Sequence, residues 1–466
     1  MFIGRAEELN FLRSRYNRKE GQLIVLYGRR RVGKTETLRE FCKDKPHVFY
    51  SCKECTDDEQ LKSFSRRTLQ KGMPIAEYVS SFANWEQAFN SILELPAGGG
   101  KKLLVIDEFP YMVHGNNEIP SILQNLWDEK LKNENIMIIL CGSAMSFIER
   151  EILAEKNPLF GRATGILKMK AMDFYEAVQF FPGYSNIDKV TAYSVLGGIP
   201  HYLKQFDESV TLAENIKENI LQRGSILYSE VEFLMRQELR ETSIYNTILE
   251  AIALGNTKLN DIFQKTQIEK TKLSVYIKNL VELGIVQREF PVLDTTKGKA
   301  NVQRGLYALS DNFFRFWYYF IFPNISEIDY GDVEGVYEHL IEPKLDLFSS
   351  KIFEDVCISY MRRENKNKKL PIYFTKIGRQ WKADFEIDII AHDAEKKNFL
   401  LGECKYRNNP FDIPDYDKAI RKFYTINGDN HYFFFSKTGF DHSLSGRQDD
   451  AKIHLIDLNT ICKAHQ

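Results

Sequence analysis

An α/β chain built on a doubly wound parallel sheet is what three features of this sequence predict. An apolar run, Leu23–Tyr27, leads directly into Gly28-Arg29-Arg30-Arg31-Val32-Gly33-Lys34-Thr35. A second apolar run, Leu103–Ile106, ends on Asp107-Glu108. Further short apolar runs at Val48–Tyr50 and Ile136–Cys141 alternate with amphipathic stretches, the pattern of parallel strands joined by covering helices.

The first run is a buried strand, and Gly28–Thr35 is the G-x-x-x-x-G-K-[ST] phosphate-binding loop, with a helix starting near Lys34. Its glycines let backbone N–H groups turn inward on phosphates, and the helix N-terminus adds its positive end. Gly28, Arg29, Arg30, Arg31, Val32 and Gly33, with Glu36 just beyond, form the expected cradle for ATP. Lys34 is expected to reach the β- and γ-phosphates and the Thr35 hydroxyl to ligate Mg²⁺. Upstream, Gly4-Arg5 opens a helix carrying Leu9 and Leu12. That helix either simply packs on the strand or folds over the nucleotide base.

Trp85, Phe89 and Ile92 mark an amphipathic helix, and Gly98-Gly99-Gly100 leads into the Asp107 strand. A strand buried on both faces that ends in two carboxylates puts them where ligands bind in open α/β sheets. Asp107 is expected to hold Mg²⁺ and Glu108 to activate the attacking water as general base. Pro120 opens the helix around Ile122 and Leu126. The strand Ile136–Cys141 ends at Gly142-Ser143, where Ser143 either senses the γ-phosphate or caps the next helix. Arg162, after Pro158-Leu159-Phe160-Gly161, is either a surface charge or a charge supplied to the γ-phosphate, within the chain or across a homo-oligomer. Asp173 to Ala213 reads as a helical lid, interrupted at Gly197-Gly198-Ile199-Pro200.

From Tyr245 the pattern becomes helix, helix, helix and two short strands, a winged helix-turn-helix. Asn256 to Arg304 holds nine Lys/Arg against five Asp/Glu, an excess that suits DNA phosphates. Lys270, Lys272 and Lys278 lie on the third helix, and Lys297, Lys299 and Arg304 on the wing. The alternative is a winged helix used only for internal packing. Phe313 to Phe322 is the most aromatic stretch, expected as core rather than as a base-stacking surface.

Near the C-terminus, strand alternation puts Asp384, Glu386 and Asp388 on one face and Phe385, Ile387 and Ile389 on the other. A hairpin to Phe399–Tyr406 is expected to set Asp388 beside Glu403 and Lys405. Two carboxylates and a lysine in that arrangement suit metal-dependent phosphodiester cleavage: Asp388 and Glu403 hold Mg²⁺, Lys405 orients water, and Glu354 completes the metal shell. This D-x(14)-E-x-K spacing is similar to the core of restriction-endonuclease-like nucleases.

The bulk numbers bound the function classes. A chain of 466 residues suggests about three domains. A net charge of −1 gives no global basic field, so any nucleic-acid contact must be local. The N-terminus MFIGRAEELN lacks the pattern of a signal peptide, and no apolar run spans a bilayer, so no membrane partner and a cytoplasmic location are expected. Seven scattered cysteines read as reduced thiols, with Cys52 and Cys55 the sole C-x-x-C.

Taken together, Phe2-Ile3-Gly4-Arg5, Gly28–Thr35, Val105–Glu108, Cys141–Ser143, Pro158–Arg162, Gly197–Pro200, Phe314–Trp317, Gly402–Lys405 and Ser436–Phe440 resemble the archaeal-type P-loop ATPases. These belong to a broader AAA+/STAND-like group and carry a C-terminal restriction-endonuclease-like domain of unknown function. The resemblance implies a P-loop ATPase core at 1–170, a helical lid at 171–240, a winged helix-turn-helix at 241–325 and the nuclease-like domain at 326–466. It also implies that Gly4-Arg5 lies near the adenine.

Overall fold

The structure, a computed structural model, describes residues 2–294, 305–382, 385–445 and 450–463. The chain divides into two compact units. The first is Met1–Met172 with Ile199–His201, and the second is Asp173–Gly198 with Tyr202–Gln466.

In the first unit, β1 (Gln22–Tyr27), β2 (His47–Ser51), β3 (Lys102–Asp107), β4 (Ile136–Gly142) and β5 (Gly165–Lys168) form one parallel sheet in the order β2-β3-β4-β1-β5. β1 and β4 are buried along their whole length, which explains their unbroken apolar sequences. β5 was not among the strands expected from sequence. It is a short edge strand whose side chains alternate between half-buried and exposed, so it lacks the apolar run that marks its neighbours. Because the strands are parallel and in register, Tyr27 lies beside Gly142, and Ser51 beside Asp107. Their C-terminal ends therefore share one edge. Helix α1 spans Ala6–Tyr16, α2 Lys34–Cys42 and α3 Asp57–Leu69.

The second unit holds three helices, Thr242–Ala253, Leu259–Thr266 and Lys270–Glu282. An antiparallel ribbon comes next, β6 (Val286–Glu289) against β7 (Leu306–Leu309). Lys297, Lys299 and Arg304 lie outside the described residues, as does Asp384. The aromatic stretch is core: Phe313, Phe314, Phe316, Trp317, Tyr318 and Phe320 are all buried.

A five-stranded mixed sheet completes this unit in the order β12-β11-β10-β9-β8. Its strands are β8 (Lys376–Trp381), β9 (Glu386–His392), β10 (Asn398–Lys405), β11 (Asp429–Ser436) and β12 (Ile453–Asp457). β9 is antiparallel to both β8 and β10, whereas β10, β11 and β12 run parallel. The long helix Glu342–Lys366 packs Phe353, Val356 and Met361 into a core with Ile389, Leu400 and Phe435. The helix Ile413–Phe423 packs Tyr416, Ala419 and Phe423 into a second core with Ile387, Leu401 and Phe434.

One expectation fails here. Strict alternation required Ile387 and Ile389 to share a face, yet they belong to different cores. The register steps from Gly378↔Ile390 to Gln380↔Ile387, so β9 spends one more residue than β8. That bulge falls at Asp388-Ile389 and re-aims the side chains around it.

Candidate functional site

The phosphate loop is built by the end of β1 and the start of α2. Backbone conformation explains its glycines. Gly33 sits at φ 92° as the N-terminal cap of α2. A β-carbon at Gly28 would lie 2.4 Å from the Met169 carbonyl, which hydrogen-bond pairing after β5 holds in place. Arg31 also adopts a left-handed φ of 66°.

Lys34 is buried, and its Nζ donates to the Gly28 and Arg29 carbonyls at 2.8 and 3.0 Å. Burial lowers its pKa, opposed by the charges of Cys141, Glu108 and Asp107. A buried ammonium held by its own loop's carbonyls is a site that phosphate oxygens can take over. The Thr35 hydroxyl donates to Asp107 Oδ2 at 2.7 Å, and Asp107 Oδ1 accepts the Glu108 N–H. Glu108 holds a left-handed φ of 53° at the start of the helix Phe109–Gly115. Its carboxylate accepts from the Ser143 hydroxyl at 2.9 Å and the Ser143 N–H at 3.2 Å. Ser143 thus orients Glu108 here, a third role beside the two read from sequence.

Arg5, placed near the adenine by the resemblance, is tied to the phosphate loop. It is 2% exposed with φ 64°, preceded by Gly4 at φ 69°. Its guanidinium donates to the Val32 carbonyl at 2.6 Å, the Lys170 carbonyl at 2.9 Å and Glu8 at 3.0 Å. It braces the phosphate loop through the Val32 carbonyl. Val32 is buried, whereas Glu36 is exposed and pairs with Arg39. Arg29 and Arg30 are half-buried in the loop. Arg31 contacts His201 Nε2 at 2.5 Å, and Pro200 approaches Gly33. Sequence reading did not single out His201, although it comes directly after the Gly197–Pro200 turn. Arg162 pairs with Asp128 at 2.9 Å, through a carboxylate that no motif flagged.

In the second unit, Asp388, Glu403 and Lys405 do come together. Asp388 Oδ2 accepts the Cys404 N–H at 2.8 Å, beyond the last β9–β10 register pair at Gly402↔Ile389, and Glu403 Oε1 lies 2.6 Å from Lys405 Nζ. Burial, then the charges of Glu403 and Glu354, push the Asp388 carboxyl up to about 7. The metal shell expected from Glu354, Asp388 and Glu403 is not assembled: among the described residues no three His, Cys, Asp or Glu side chains are grouped to hold a metal ion.

The reason lies in the sheet. Glu354 comes from the long helix on one face, where Arg379 Nε lies 2.7 Å away and Lys351 3.3 Å away. Glu403 is met from the other face by Lys422 of the helix Ile413–Phe423, at 3.0 Å. Internal cations therefore take the carboxylate oxygens. Lys422 and Arg379 escaped the sequence reading because neither falls in a spacing with the acids. On the third helix of this unit Lys270, Lys272 and Lys278 are all exposed; Lys278 lies 3.9 Å from Glu282 and Lys270 sits 4.8 Å over the Phe263 ring.

Comparison with known proteins agrees with this anatomy. Residues 2–206 match an ATPase domain predominantly from Archaea, and residues 317–417 a domain of archaeal and bacterial proteins of unknown function. An uncharacterized protein of Methanocaldococcus jannaschii is 34% identical over 425 residues, 91% of this chain and 90% of that one. An uncharacterized ATP-binding protein of the same organism is 51% identical over 45 residues, 10% of this chain and 76% of that one. A Walker-type ATPase of Pyrococcus abyssi shares the fold with a TM-score of 0.51 at 22% identity, covering 68% of this chain and 96% of its own. The chain belongs to the family of P-loop ATPases whose ATPase domain is predominantly archaeal and whose C-terminal domain has no assigned function.

Proposed function

We propose that this protein is an ATP-hydrolysing switch whose nucleotide state governs a winged helix and a restriction-endonuclease-like domain that engages DNA. The observation that carries the nucleotide half is the joint placement of Lys34, Thr35 and Asp107 at one sheet edge. Lys34 would exchange the Gly28 and Arg29 carbonyls for phosphate oxygens. A hydroxyl and a carboxylate 2.7 Å apart are oxygen donors suited to Mg²⁺, which when bound would offset phosphate charge. Glu108, once released from Ser143, would accept a proton from the attacking water. Arg162 would serve the γ-phosphate only after leaving Asp128, in the chain or across a homo-oligomer. The three helices with their ribbon, and the mixed sheet carrying Asp388, Glu403 and Lys405, support DNA as the partner.

The proposed division into a core at 1–170, a lid at 171–240, a winged helix at 241–325 and a nuclease-like domain at 326–466 assigns each activity its own segment. Lys34→Ala tests the nucleotide half. Its ATP turnover, measured as phosphate release, should drop by at least about a hundredfold; full turnover would refute the assignment.

A second reading is favoured by the cations around Glu354 and Glu403. In it the C-terminal domain is a degenerate nuclease fold used for partner binding, and ATP alone sets the switch. Plasmid incubated with the full chain and Mn²⁺ separates the two. Cleavage lost in Asp388→Ala supports a nuclease, whereas intact plasmid supports the binding module.

A further inference from the structure

The first unit contains a cavity of about 470 Å³ away from the phosphate loop, between α2, the edge strand β2 and α3. That is the size of pocket that takes a small organic ligand. Its rim is cationic: Arg39 and Lys43 come from α2 and its C-terminal end, His47 from β2 and Arg67 from α3. No acidic residue is among those lining it. Glu36 and Glu40 pair with Arg39 and Lys43 along the helix, at 3.5 and 2.5 Å. Arg39, Lys43 and Glu36 are all more than half exposed, so the pairs are weak and readily exchanged for a stronger anion.

The other walls suit a ring. Arg67 Nε donates to the Phe49 carbonyl at 3.2 Å, which fixes its guanidinium at the open edge of the sheet. Arg39 lies 5.9 Å over the Phe49 ring. Tyr50 turns its hydroxyl toward Gln60 and its ring onto Phe64 in the core. Burial pushes the Cys42 thiol up to about 12, so that wall is neutral. The hydroxyls of Ser51 and Ser63 add donors.

We infer that this cavity is a second anion site, for a nucleoside monophosphate, that acts as an effector of the ATP site. The phosphate is met by Arg39, Lys43 and Arg67, and the base lies against Phe49. The route to the ATP site is short, along one helix and across one strand pair. Arg39 lies on the same nine-residue helix as Lys34 and Thr35, and Ser51 is the register partner of Asp107, whose carbonyl accepts the Cys52 N–H at 2.8 Å. An occupant therefore touches the helix that carries Thr35 and the strand hydrogen-bonded to the one that carries Asp107. Linkage requires any effect on ATP affinity to be mirrored in affinity for the effector.

The test is calorimetric titration of AMP, and of inorganic phosphate, into the full chain with its phosphate loop saturated by a non-hydrolysable ATP analogue. The expected result is one saturable AMP site tighter than about 1 mM, with phosphate alone weaker. AMP affinity falls at least tenfold in Arg39→Ala/Arg67→Ala, while analogue affinity without AMP is unchanged. In the wild-type chain, analogue affinity also shifts at least threefold when AMP is present. Absence of saturable AMP binding, equal binding by the double variant, or no shift in analogue affinity overturns the inference. Retained analogue binding shows that the variant is folded, so failure here is distinct from failure at the phosphate loop.

Discussion

The two charged centres of this protein are assembled from similar residues and end in opposite electrostatic states. Around the phosphate loop, Lys34 is buried but satisfied only by backbone carbonyls, and Thr35 and Asp107 bond to each other. Those bonds are readily exchanged for a charged ligand. Around Asp388, the carboxylates have already found cations: Glu403 holds Lys405 and Lys422, and Glu354 holds Arg379 and Lys351. Buried charge must be paired, but it can be paired by a ligand or by the fold. The first centre leaves that task to a ligand. The second has met it internally for Glu403 and Glu354.

If the pairing at the second centre is structural, removing its anion should be costly. Glu403→Ala leaves two ammonium groups facing a buried position, and should destabilise the chain by about 3 kcal/mol in urea unfolding. A change below about 1 kcal/mol would mean that Lys405 and Lys422 reach water without loss.

A pH profile sharpens the same contrast. The Asp388 carboxyl is raised from 3.8 to about 7, so the folded protein holds a proton there that the unfolded chain has lost. Stability tied to this group is present below the unfolded value of 3.8 and declines as pH rises toward about 7. Asp388→Asn keeps an acceptor for the Cys404 N–H and removes the titration. Relative to wild type it should gain on the order of 2 kcal/mol at about pH 8 and little at about pH 4. A gain independent of pH would show that the carboxyl is not the titrating group.

At the first centre the expected loss is smaller and confined to binding. Arg5→Lys keeps the charge but cannot span both the Val32 and Lys170 carbonyls, so ATP affinity should weaken about tenfold while thermal stability changes little. Equal loss of stability and affinity would make Arg5 a core residue and nothing more.

How much of this was legible in sequence depends on how local each feature is. Gly28 to Thr35 encodes its own turn, so strand, loop and helix could be read without the rest of the chain. Asp107-Glu108 was legible because an unbroken apolar strand ends there. Arg5 was visible as a motif residue, but its acceptors are the Val32 and Lys170 carbonyls, and no periodicity reports a backbone acceptor 165 residues away. β5 stayed hidden because an edge strand has only half a buried pattern. The bulge at Asp388-Ile389 exists only once β8 pairs with β9, and it decides which face each acid reaches. Arg379 arrives through that pairing and Lys422 from the helix Ile413–Phe423, so the composition of the second centre was half legible and its charge state was not.

At the centre of the proposed function stands a phosphate loop that hydrolyses ATP, with Glu108 acting on water rather than on phosphate binding. Single-turnover ATP hydrolysis by Glu108→Gln tests this directly. Gln keeps an acceptor for Ser143, so ATP affinity should stay within about threefold of wild type while the hydrolysis rate falls at least about a hundredfold. Unchanged hydrolysis, or loss of ATP binding in step with it, would contradict the assignment.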